Sequence, residues 1–145
     1  QLARLDAMIA RRAALAARYR ERLADLPEVR PLGDPPYPAR HAWHLFIARL
    51  DIERAGMDRD AFMAALKERR IGTGLHFRAI HLQRYYREVL GGRRGQLPNT
   101  EWNADRILSL PLFPDMRLED VDAVVAAMRA VLRQTPEPSG GIPRS

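Results

Sequence analysis

The chain has 145 residues, enough for one domain with a core of its own, and it contains no cysteine, which excludes disulfides and thiolate metal sites and suits a reducing cytoplasm. No apolar run approaches the roughly 18 residues of a membrane span and nothing resembles a signal peptide, so the expectation is a cytoplasmic protein without membrane insertion. A net charge of +6 invites an anionic partner, but of the 24 basic residues only Lys67 is a lysine, and most of the arginines alternate with Asp, Glu and Ala as they do on solvated helix faces.

Residues 1–26 predict one long helix, because Leu5, Met8, Ile9, Leu15, Ala16, Tyr19, Leu23 and Leu26 recur at three- and four-residue steps. It starts at Gln1 without a capping residue, from which we expect a chain cut from something larger. Pro27, Pro31, Pro35, Pro36 and Pro38 then predict an extended connector without regular structure. His41–Leu50, H-A-W-H-L-F-I-A-R-L, reads as the best strand, with His41 and His44 sent to opposite faces by their odd spacing and so unsuited to a shared metal. Asp51–Met57 reads as a turn. Asp58 can cap a helix to about Arg70 that buries Phe62, Ala65 and Leu66, with Gly72 just past its end. Lys67 lies on that helix beside Glu68, Arg69 and Arg70, a solvated setting that suits no Schiff base.

Ile71–His81, I-G-T-G-L-H-F-R-A-I-H, is the stretch around which the rest is organised. Gly72 and Gly74 allow close backbone approach, and on a strand His76 and Arg78 would share a face, placing a titratable ring beside a fixed positive fork. That pair suits a phosphate or carboxylate, though on residue types alone a surface histidine and arginine without a ligand is the commoner meaning. A short helix over Leu82–Val89 carries Tyr85 and Tyr86, and Gly91–Gly95 forms a loop. Asn99 or Thr100 would cap a helix through Ile107 anchored by Trp102, and Ser109–Pro114 reads as an edge strand or extended crossing. A final helix, Leu118–Leu132, places Val121, Val124, Val125, Met128, Val131 and Leu132 on one stripe, and residues 134–145 read as a disordered tail. The sum is an α+β fold: a small antiparallel sheet centred on His41–Leu50 and Ile71–Phe77, covered on one face by helices.

No complete catalytic constellation is present: the chain has no H-E-x-x-H, G-x-S-x-G, P-loop or G-x-G-x-x-G motif, and His76 and His81 have no metal-site spacing. The series H-A-W-H-L-F at 41–46, A-L-K-E-R-R-I-G-T-G-L-H-F-R-A-I-H at 65–81, Tyr85-Tyr86, L-P-N-T-E-W-N at 97–103 and S-L-P-L-F-P-D-M at 109–116 resembles the C-terminal domain of DegT/DnrJ/StrS sugar aminotransferases. Within that family the likeness is to the UDP-4-amino-4-deoxy-L-arabinose–oxoglutarate aminotransferase type, over residues 1–132.

The resemblance implies a small domain, residues 27–133, joined by the helix over 1–26 to a large domain that holds pyridoxal phosphate, usually in a homodimer. It implies transfer of an amino group from glutamate, yielding 2-oxoglutarate, to a UDP-linked 4-keto sugar, for lipopolysaccharide or another surface glycan. The Schiff-base lysine and the aspartate facing the pyridine nitrogen would belong to the large domain, so this chain would bind no cofactor and would not transaminate alone. By the same likeness His76 stands at the mouth of the active site, Phe77 occupies a position often held by tyrosine, and Arg78, His81 and Tyr86 continue the loop around the nucleotide sugar. Two other readings of the residues stay open: a stand-alone basic nucleic-acid-binding module, and a structural dimerisation domain.

Overall fold

The computed structural model describes residues 2–75 and 77–134. Gln1, His76 and residues 135–145, and with them all of the expected tail but Gln134, lie outside the described residues. The architecture is α+β: a three-stranded antiparallel sheet and several helices.

A single 3-10 turn, Leu2–Arg4, leads into α1, Leu5–Leu23. Only the second half of α1 enters the core, through Leu15, Ala16, Tyr19 and Leu23. The sheet consists of β1 (Val29–Pro31), β2 (Phe46–Leu50) and β3 (Ile107–Leu110) in that spatial order. Val29 pairs with Leu50 and Pro31 with Ala48 on one side of β2; Phe46 pairs with Leu110 and Arg49 with Ile107 on the other. Phe46, Ala48 and Leu50 alternate inward, as a half-buried strand requires.

The sheet corrects three expectations. Regular structure does enter the proline-rich connector, as β1, whose Pro31 sits on an edge strand where a missing N–H is tolerated. The strand in His41–Leu50 begins only at Phe46, because Trp43 takes a left-handed backbone (φ 48°) and the His41 Nδ1 accepts its N–H at 2.8 Å. Ile71–Phe77 is not a central strand: Gly74 alone bridges to Ser109 on the outer edge of β3.

Asp51 caps a one-turn helix, α2 (Ile52–Ala55), where a turn was expected, and Asp58 caps α3 (Arg59–Glu68) by accepting the Ala61 N–H at 2.8 Å. The end of α3 is built without Gly72. Arg70 itself adopts φ 62°, the Ile71 N–H donates to the Leu66 carbonyl at 3.0 Å and the Arg70 N–H to that of Lys67 at 2.9 Å, which is a Schellman closure. A 3-10 turn over Ile80–Leu82 precedes α4 (Arg84–Leu90), and α5 (Pro98–Ala104) follows the glycine-rich loop. α6 (Leu118–Arg133) closes the described chain.

The core gathers Tyr19, Phe46, Leu50, Phe62, Leu66, Leu108, Val121 and Met128 from α1, α3, α6 and the sheet. The Tyr19 ring stacks on Phe46 at 4.7 Å and its hydroxyl donates to the Pro111 carbonyl at 2.9 Å, so the one polar atom of that ring is satisfied. Arg59, only 8 % exposed, donates to the carbonyls of Ala104 (3.1 Å) and Ile107 (2.9 Å), and thereby fixes the end of α5 against β3. Trp102 is not the core anchor of α5: it stays half exposed, with the guanidinium groups of Arg49 and Arg106 over its ring at 4.8 and 4.5 Å.

Candidate functional site

After the Schellman turn the chain reaches the edge of β3 and touches it once. The Gly74 N–H donates to the Ser109 carbonyl at 2.9 Å and the Ser109 N–H returns to Gly74 at 2.8 Å. A Cβ on Gly74 would lie 3.5 Å from that of Ser109, an ordinary contact, and one on Gly72 would meet open space, so neither glycine is required here for close approach. Beyond Gly74 the segment leaves the sheet and stands between two clefts.

The first cleft, about 390 Å³, is almost wholly apolar and is lined by Phe77, Arg78, Ala79 and Ile80 on one side and by Thr100, Asn103, Ala104 and Ile107 on the other. The second, about 640 Å³, carries Leu75, Phe77, Arg78, Leu82, Gln83, Arg84 and Arg87. Phe77 and Arg78 therefore belong to both. Phe77 is 71 % exposed. Arg84 is paired with Glu88 at 3.2 Å, both in solvent, whereas Arg78 and Arg87 have no carboxylate partner among the described residues. An apolar slot next to three guanidinium groups can take an anion carrying a flat or apolar body.

Of the five expected site residues, the structure brings Phe77 and Arg78 together. Tyr86 stands on α4 with its ring edge-to-face on Tyr85 at 5.8 Å, and it lines neither cleft. His81 points elsewhere: its Nε2 lies 2.8 Å from Oε1 of Glu101, and the two side chains are among the most enclosed polar groups of the region. His76 lies outside the described residues.

Glu101 was missed in the sequence. Its carboxylate accepts the Gly95 N–H on both oxygens, at 2.9 and 2.8 Å, and the Leu97 N–H at 3.2 Å, so it caps α5 from inside the first turn. Neither Asn99 nor Thr100 caps this helix; the N-cap position is Leu97, with Pro98 first in the helix. Proline followed by an acid three residues later was the legible signal. The Gly95 N–H above all, then His81 and the Leu97 N–H, outweigh desolvation and hold the Glu101 carboxyl down to about 2. It is ionised at neutral pH, so the His81 Nε2 carries the proton of their hydrogen bond.

Pyridoxal phosphate finds no attachment point in these clefts. Lys67, the single lysine, is exposed on α3 and lines neither of them. No group of three or more His, Asp or Glu side chains suited to a metal occurs among the described residues.

Comparison with known proteins decides the kinship. Residues 1–129 match the model of the DegT/DnrJ/EryC1/StrS aminotransferase family. The chain belongs to this family. Among solved structures it is similar to DesV from S. venezuelae, captured with a ketimine intermediate (33% identity, TM-score 0.75, covering 92% of this chain and 34% of that one). It is likewise similar to DesI, crystallised in the presence of its TDP-sugar product (31% identity, TM-score 0.80, 92% and 33%). The PLP form of Spr1654 from Streptococcus pneumoniae shares the fold at 22% identity, with a TM-score of 0.81 over 93% of this chain and 34% of that one. The present chain thus spans about a third of the length of these structures.

Proposed function

We propose that this chain is the small domain of a sugar aminotransferase that uses pyridoxal phosphate held by a larger domain, and that its task is to bind and orient a nucleotide-linked keto sugar. Residues 27–133 form that small domain in this reading and α1 leads toward the larger one. The observation that carries the proposal is the position of Phe77 and Arg78, shared by an apolar cleft and by a cleft holding Arg84 and Arg87. Arg78 and Arg87 bind the diphosphate, Phe77 offers a stacking face, and His76 meets the sugar at the mouth of the active site. His81 acts from behind, through Glu101, and Tyr86 flanks the loop. The TDP-sugar product in whose presence DesI was crystallised supports a nucleotide sugar as the ligand class. The finer reading is a UDP-linked 4-keto sugar as acceptor and glutamate as donor, in a cytoplasmic homodimer serving lipopolysaccharide or another surface glycan.

The rest of the basic surface speaks against a nucleic-acid module. Arg18, Arg20, Arg22, Arg40, Arg94, Arg106, Arg117 and Arg129 are all engaged by carboxylates, so a large part of the basic charge among the described residues is already paired rather than offered to a phosphate backbone.

The test is titration of the full-length protein with UDP and with TDP. Arg78→Ala and Arg87→Ala should each weaken nucleotide binding by about tenfold or more, the scale of a charged hydrogen bond, while release of 2-oxoglutarate from glutamate stays at the parent level. Binding of neither nucleotide, or native affinity in both variants, rejects this site.

A further inference from the structure

The apolar cleft has two walls that are far apart in sequence, Phe77–Ile80 and α5, and a side-chain contact joins them. His81 follows Ile80 directly and Glu101 follows Thr100 directly, so the 2.8 Å contact between His81 and Glu101 bridges the two walls one residue beyond the cleft lining. The first wall lies largely at the surface. Phe77, Arg78 and Ile80 are exposed, Ala79 alone is buried, and α4, which continues the wall and carries Arg84 and Arg87, contributes no buried residue at all. The same knot takes in the glycine-rich loop, through the bonds of Glu101 to Gly95 and Leu97 and through Gly92, whose α-carbon is packed against the His81 carbonyl.

We infer that Glu101 is a positioning residue for ligand binding: its buried carboxylate grips His81 and so sets the spacing of Phe77 and Arg78 from α5. The inference rests on the proposed nucleotide-sugar site and gives it a mechanism. Glu101 never touches ligand. It holds the wall that does, and the bridge is strong because both partners are enclosed and the carboxylate is ionised. The His81 Nδ1 is buried without a hydrogen-bond partner among the described residues, so Glu101 supplies the ring's one polar anchor.

The experiment compares Glu101→Gln, His81→Asn, His81→Gln and the double variant Glu101→Gln/His81→Asn in the full-length protein, by UDP titration and by amide exchange over residues 77–82. The amide of asparagine stops short of Glu101, whereas that of glutamine reaches the place of Nε2. His81→Asn and Glu101→Gln should each weaken UDP binding about tenfold, in the range expected for a displaced contact group, and should speed exchange over 77–82. The double variant should be no worse than the poorer single variant, and His81→Gln should restore binding. A lowered melting temperature with native UDP affinity in His81→Asn would reduce the bridge to a structural role and overturn the inference. If Glu101→Gln fails to fold, His81→Asn decides, since it leaves the bonds from Gly95 and Leu97 in place. Arg78→Ala separates the two levels: weakened UDP binding there with native binding in His81→Asn rejects the bridge alone. Native UDP binding in Arg78→Ala rejects the site itself and the inference with it, even if exchange over 77–82 still speeds up in His81→Asn.

Discussion

One methyl group measures how closely His81 is held. A Cβ added to Gly92 would fall 2.1 Å from the His81 carbonyl oxygen and 3.1 Å from that of Tyr86, both backbone atoms that cannot rotate aside. Gly92 also donates its N–H to Tyr86 at 2.9 Å, so the loop cannot simply swing out without losing that bond. Gly92→Ala should therefore cost about 1–3 kcal/mol, the usual range for overpacking, in chemical denaturation. Gly33→Ala, where a Cβ meets nothing within 4 Å, is the control and should stay within about 0.5 kcal/mol of the parent. Equal costs at both positions would mean that the His81 turn is free to relax.

At the scale of elements, α3 ties sheet to helix layer and closes on a residue that dislikes its own backbone. Phe62 is fully buried, and Phe62→Ala should cost about 3–5 kcal/mol through lost transfer energy and the cavity left behind. Arg70 holds φ 62° at an exposed C′ position usually given to glycine. Arg70→Gly should stabilise the fold by about 1 kcal/mol, the penalty of a left-handed L-residue, seen as a higher denaturation midpoint; a lower midpoint would show that the Arg70 side chain stabilises more than its backbone costs. The helices α1, α3 and α6 were legible because 3.6-residue periodicity writes burial directly into the order of Leu, Val and Phe. Of the strands, β2 was legible inside His41–Leu50, whereas the bounds of β1 and β3 were not. β1 has three residues and β3 four, too few for an alternation to register, and their places come from pairing with Leu50 and Phe46 of β2 rather than from local preference. Ile71–Phe77 has strand-like composition, but among its described residues Gly74 makes the one bridge to a strand. The same limit governs the site. Arg78 stands out by type and by its spacing from His76, and Phe77 by the family resemblance, whereas the wall opposite them and the grip of Glu101 on His81 join residues about twenty positions apart.

Across the whole molecule, charge is arranged to close the helix layer. Asp122 on α6 accepts from Arg18 at 2.9 and 2.8 Å and from Arg22 at 2.8 Å, both on α1, and Asp25 beyond α1 is bound by Arg129 of α6. Hydrogen bonds from Arg18 and then Arg22 bring the Asp122 carboxyl down from 3.8 to about 2. A carboxylate lowered on folding stabilises the native state above its unfolded value, and that contribution disappears as pH falls through the folded value. Asp122 should then support the fold fully above about pH 4 and cease to do so near pH 2, with Glu101, lowered from 4.5 to about 2, failing over the same acid interval. Asp122→Asn should lower the thermal midpoint at neutral pH, and the gap to the parent should narrow as pH is taken from 4 to 2 and as salt is raised. Because Glu101 titrates in both proteins, the parent must keep an acid transition that Asp122→Asn shares, and only the difference between the two curves reports on the α1–α6 bridge. A gap that stayed constant from pH 7 to 2 would assign the effect of Asp122 to packing and not to its charge.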